Sequence, residues 1–72
     1  MVEEDFCKKF ALNIKKFREA KGFTKGKVSE IVGCDLSYIG KLERSEKYPN
    51  LKMIFKIAQA LDVPPKALFE FE

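Results

Sequence analysis

Histidine is absent from this 72-residue chain, and its two cysteines, Cys7 and Cys34, form no Cys-x-x-Cys pair. A zinc site built from cysteine and histidine is therefore excluded. The commonest general base is missing too, and the sequence holds no phosphate-binding glycine loop and no coherent nucleophile–base set. These absences argue against an enzyme and against a metal or small-molecule cofactor. No apolar run approaches the ~20 residues of a membrane span, and the opening "MVEEDF" is acidic where a signal peptide would be basic. A soluble, cytoplasmic protein with no membrane partner is expected, its cysteines reduced thiols rather than a disulfide. Repeats, low-complexity tracts and linkers are also lacking, so residues 1–72 are expected to form one domain. Such a domain buries only roughly 60% of its unfolded surface, which demands an economical core.

Charge is plentiful but unevenly placed. The formal net charge is +3, yet Glu3, Glu4, Asp5, Glu70 and Glu72 crowd the two ends. Between Phe6 and Phe69, fourteen basic residues stand against six acidic ones, an excess of eight. A folded body with that surplus favours a polyanion such as nucleic acid.

Punctuation divides the chain into five helical segments. In the first, residues 3–21, Phe6, Phe10, Ile14, Phe17 and Lys21 recur at intervals of three and four and form an inward stripe. Gly22 stands where a left-handed cap would stop it. Thr24 caps a second helix, 25–32, whose Val28 and Val32 face the core and which Gly33 closes. Asp35 caps a third, 36–44, with Ile39 and Leu42 inward. Asn50 caps a fourth, 51–61, apolar nearly all round and so expected at the centre. "VPP" at 63–65 turns the chain into a last short helix that tucks Leu68 and Phe69 back. The class is all-α.

The informative part is residues 25–44. Two short helices joined through Gly33-Cys34-Asp35 cross steeply, with small Ser29 at the crossing, in the manner of a DNA-binding helix-turn-helix. With Ile39 and Leu42 buried, Leu36, Ser37, Gly40, Lys41 and Arg44 are left on the outer face. Nine helical residues span ~13 Å, which fits a major groove about 12 Å wide.

The joint spacing of "REAKG", "VGCDLSYIGKLER", "YPNL" and "KIAQAL" resembles the lambda-repressor-like, Cro/XRE-type helix-turn-helix family over residues 14–69. That resemblance implies a compact five-helix DNA-binding domain, transcriptional regulation, and a third helix that reads base edges. It places Asp35, Leu36, Ser37 and Lys41 where the family contacts bases, Arg44 where it contacts the DNA backbone, and Lys25 where a glutamine commonly holds phosphate. Arg18 and Glu43 match a pair that in relatives forms a structural salt bridge. Lys27, Arg44 and Lys47 are further candidates for neutralising phosphates, with Lys52 behind them. Tyr38 either reaches a phosphate through its hydroxyl or packs its ring beside the turn. Asp35 has two possible roles, helix cap or acceptor for a cytosine amine.

Four features leave room for a different task. Gly26 replaces a good helix former at a cost of about 1 kcal/mol relative to alanine. Ile31 sits where a polar residue is usual, Asp35 brings an acid to the third helix, and "ERSE" puts Glu46 near the expected phosphate path. The leading expectation is a sequence-specific DNA-binding regulator, a repressor, acting on double-stranded DNA as a homodimer through Phe69 and Phe71. The alternative is a protein-interaction module of the same fold, antitoxin-like or an adaptor, with weak or no DNA binding.

Overall fold

In the computed structural model, which describes residues 1–71, the chain forms α1 (Glu3–Ala20), α2 (Lys25–Val32), α3 (Tyr38–Glu43), α4 (Leu51–Ala60) and a closing 3-10 turn (Pro65–Phe69). No strand occurs among the described residues, so the class is all-α. The expected fifth helix is corrected to that single turn. Pro64 and Pro65 remove two backbone donors, and a five-residue segment is too short to nucleate an α-helix, so it closes i to i+3 bonds such as Ala67 N–H to the Pro64 carbonyl at 2.9 Å.

All four α-helices stop by one device, in which the chain reverses through a residue of positive φ and two backbone N–H groups turn back onto the last free carbonyls. At α1 the reversing residue is Gly22, with Gly22 N–H bonded to Glu19 O and Phe23 N–H to Arg18 O. Gly33 does the same for α2, Ser45 for α3 and Asp62 for α4. Glycine adopts this conformation freely. Ser45 (φ 59°) and Asp62 (φ 58°) have a Cβ that opposes it, at roughly 1–2 kcal/mol. Ser45→Gly is therefore expected to raise stability by about 1 kcal/mol, or ~4–8 °C in Tm for a domain of this size. Thermal unfolding checks this, and an unchanged or lower Tm would remove the assigned strain.

Helix starts follow side-chain chemistry. Thr24 accepts from Lys27 N–H at 3.0 Å and Asn50 from Met53 N–H at 2.8 Å, each satisfying a donor that the first turn leaves free. The start of α3 departs from expectation. Asp35 does not cap a helix beginning at residue 36. Its carboxylate accepts from both the N–H and the hydroxyl of Ser37, which holds 35–37 in a turn. Tyr38 N–H then bonds Asp35 O at 2.9 Å, and the first α-type bond comes from Lys41 N–H to Ser37 O at 3.1 Å. The helix has six residues, or ~9 Å, rather than nine.

The core is a single cluster drawn from every element. Ile14, Val28, Ile39, Ile57 and Leu68 are wholly enclosed, with Phe10, Leu42, Ala58 and Leu61 beside them. Three expectations about the inward faces need correction, the first being Phe6, which opens the α1 stripe yet stays 43% exposed. Lys21, the last member of the α1 stripe, is exposed, because it caps the helix end beyond the packed turns. The fourth helix is amphipathic and peripheral rather than central: it packs on α2 and the 3-10 turn and leaves Leu51 83% and Phe55 56% exposed. Asn13 adds a tie that no periodicity announces, its side-chain amide donating to the carbonyls of Leu68 (3.0 Å) and Glu70 (3.2 Å).

Candidate nucleic-acid interface

The helix-turn-helix is locked from within. Ser29 is fully buried where α2 meets α3, and its hydroxyl oxygen accepts from Ile39 N–H at 3.4 Å. From α1, the Arg18 guanidinium donates to both oxygens of Glu43 at 2.7 and 3.1 Å, and its remaining arm donates to Phe23 O at 2.8 Å. Hydrogen bonding to Glu43 raises the Arg18 pKa against the opposing effect of burial, so the guanidinium stays charged. One ion pair thus fixes α3 to α1 and, through Phe23, to the approach of α2.

With that frame set, α3 and its flanks present a mixed surface. Leu36 is 66% exposed and Ser37 is exposed, while Lys41 and Tyr38 are half-buried. Tyr38 packs its ring against the core cluster, and burial pushes its phenol up, so it remains a hydrogen-bond donor at neutral pH. The hydroxyl of Ser37, followed by its N–H, holds Asp35 below the usual carboxylate range, with Lys41 and Lys47 adding to the effect. Asp35 is therefore charged but turned onto its own turn, and that support fails only as acid protonates it.

Gly40 differs from expectation. It is buried, not outward, because a Cβ placed there would meet Arg44 Nη1 at 3.1 Å and Lys25 Cδ at 3.5 Å. The side chains of Lys25, at the first position of α2, and Arg44, at the end of α3, converge over this glycine. Lys27 is exposed and loosely paired with Glu30 at 3.8 Å, and Lys47 and Lys52 are exposed. Lys25 and Lys27 also sit in the first turn of α2, where the positive end of the helix dipole favours an anion. Arg44 carries a partner that sequence reasoning missed, since Glu46 accepts from its Nε at 2.7 Å. Residues two apart do not face each other on a helix. Only the reversal at Ser45 brings these two together.

Phe69 and Phe71 pack against α1. Phe69 stacks on Phe10 with ring centroids 5.0 Å apart, and Phe71 meets Phe6 edge-on at 5.4 Å. Phe69 stays partly exposed beside Phe6, Tyr48 and Ile54, around an apolar depression of about 400 Å³. Among the described residues, no cluster suited to a metal ion occurs, and no helix is long and apolar enough to cross a membrane.

A family model described as helix-turn-helix matches residues 14–68. The HTH-type transcriptional regulator SutR of Escherichia coli is 28% identical over 61 residues, covering 85% of this chain and 34% of that protein. The chain thus spans about a third of that relative's length. The restriction-modification controller protein C.AhdI from Aeromonas hydrophila superposes with a TM-score of 0.84 at 36% identity, over 88% of this chain and 96% of that one. A hypothetical transcription factor, NHTF from Neisseria, superposes with a TM-score of 0.88 at 30% identity, over 97% and 80%.

Proposed function

This chain belongs to the helix-turn-helix family, and from that membership we propose that it is a sequence-specific, DNA-binding transcriptional regulator in the cytoplasm, acting as a repressor by occluding a promoter. The single observation that carries the reading is the convergence of Lys25 and Arg44 over buried Gly40, at the edge of a helix whose outer residues are free to meet DNA. In this reading Lys25, Lys27, Arg44 and Lys47 hold phosphates, with the Tyr38 hydroxyl as a further donor, while Lys41, Leu36 and Ser37 meet base edges. Because the Ser37 hydroxyl donates to Asp35, it faces DNA as an acceptor, suited to an amine of adenine or cytosine. Asp35 shapes that group rather than contacting a base itself.

The same reading includes a homodimer. Phe69, Tyr48, Leu51 and Phe55 leave substantial apolar surface exposed, and a second copy related by a two-fold axis would cover it and set two α3 helices ~34 Å apart on a palindromic site. Phe71, already packed edge-on against Phe6, is peripheral to that interface. The 36% identity to a restriction-modification controller over nearly its whole length makes a restriction–modification operon the first genetic context to examine.

Selection from a random duplex pool tests the function, with a recurrent palindrome expected and no enrichment at low salt counting against it. Two variants then separate the roles. Lys25→Ala is expected to weaken selected and random duplexes equally. Lys41→Ala should lose ~1–3 kcal/mol on the selected site alone and relax one base position. Equal effects of both variants on both DNAs, read by fluorescence titration, would overturn that division.

A further inference from the structure

Arg44 is the one candidate phosphate contact whose guanidinium is already engaged by an acid at close range. Its Nε donates to Glu46 Oε2 at 2.7 Å and its Nη2 approaches Glu46 Oε1 at 3.4 Å, both side chains about half exposed. The left-handed turn at Ser45 folds Glu46 back beneath the helix end, and the Glu46 N–H is itself fixed to Lys41 O at 2.8 Å. The acid is therefore held in place by the backbone, beside the point where Arg44 and Lys25 meet over Gly40.

We propose that Glu46 is an internal competitor for DNA phosphate: its carboxylate occupies the fork of Arg44 in the free protein and must give way before that fork takes two phosphate oxygens. A guanidinium offers the same planar pair of donors to a carboxylate and to a phosphate, so the two ligands exclude each other. An exposed pair of this kind holds weakly and exchanges readily. Once displaced, the carboxylate stays beside the bound phosphate and repels it. Glu46 thus sets a ceiling on sequence-independent affinity, leaving base contacts a larger share of the total. Hydrogen bonding to Arg44 holds the Glu46 carboxyl below its usual range, so the competitor is charged throughout neutral pH.

This inference rests on the DNA-binding role proposed above, and its test separates the two. Glu46→Gln keeps the shape and removes the charge. It is expected to tighten binding to selected and random duplexes alike by about threefold to tenfold, because Arg44 reaches the phosphate in both proteins and only the competing charge is lost. In an Arg44→Ala background the same change should give less than about a twofold gain. Equal gains in both backgrounds would reduce Glu46 to a distant charge, and weaker binding by Glu46→Gln would make it a group that positions Arg44. Either result, or no change, overturns the proposal while leaving DNA binding intact. A wild-type protein that binds no duplex at low salt removes both. The pair is checked without DNA by NMR titration of the Glu46 carboxyl, which should rise toward its usual range in Arg44→Ala. A titration indifferent to Arg44 would show that the fork is not occupied.

Discussion

Arg18→Ala is expected to destabilise the protein by about 3–5 kcal/mol, more than any other single truncation at the interface. The Glu43 side chain is only 5% exposed, so deletion of its partner would leave a carboxylate in the interior with neither water nor a guanidinium to answer it. The Phe23 carbonyl would lose its donor in the same step. A domain of this length holds roughly 4–11 kcal/mol in all, at 0.05–0.15 kcal/mol per residue, so much of the native population would be lost near physiological temperature. Urea unfolding measures the cost. Arg18→Lys should recover only part of it, because an ammonium cannot bridge both carboxylate oxygens and a carbonyl in one plane. Replacing Arg18 and Glu43 together with methionine and leucine should recover most of it, since the penalty arises from an unpaired buried charge rather than from loss of attraction. A single-variant cost under about 1 kcal/mol would mean that Glu43 finds another partner and that α1 does not fix α3.

The Arg18 pair also explains how a six-residue helix keeps a fixed orientation. So short a helix has almost no intrinsic stability. Its orientation comes from Ile39 and Leu42 in the core, from the bond of Ile39 N–H to Ser29, and from Glu43 gripped by α1. Lys41, on the same helix, inherits that rigidity without contributing to it.

Much of this was legible in the sequence, and the remainder failed for identifiable reasons. Gly22 and Gly33 announce two helix ends because glycine is the usual residue at positive φ. Ser45 and Asp62 occupy the same conformation unannounced, since the neighbouring bonds and not their own preference place them there. Thr24 and Asn50 could be identified as caps from the residue type and the apolar run that follows. Asp35 fits that pattern equally well, but Ser37 competes for its carboxylate and delays the helix by two residues. Gly40 sits at an outer position by helical spacing, yet long side chains from two other positions cover it. Periodicity assigns a face and carries no information about what lies on that face. The fourth helix shows the same limit, since an apolar composition did not distinguish Ile57 in the core from Phe55 on the surface.

Salt provides the second large effect. If Lys25, Lys27, Arg44, Lys47 and Lys52 together neutralise about five phosphates, log K should fall with log salt at a slope of roughly −4.5 per bound chain, from −0.9 per contact. Between 50 and 200 mM salt that is a loss of about 500-fold, and for a homodimer on a palindrome the slope doubles to about −9, a loss on the order of 10⁵. The slope measures contacts directly, so it separates cases that affinity alone confuses. A value near −4.5 on a full palindrome would mean one chain per site, and would count against the dimer surface around Leu51 and Phe55. A protein-interaction module would show weak or no binding at 50 mM and at most a shallow slope. The intermediate value is also informative. Should Arg44 remain with Glu46 in the complex, the count drops by one contact per chain and the slope flattens to about −3.6 for one chain or −7 for two. Fluorescence titration across four salt concentrations distinguishes all of these, because adjacent cases differ by close to a full unit of slope or more.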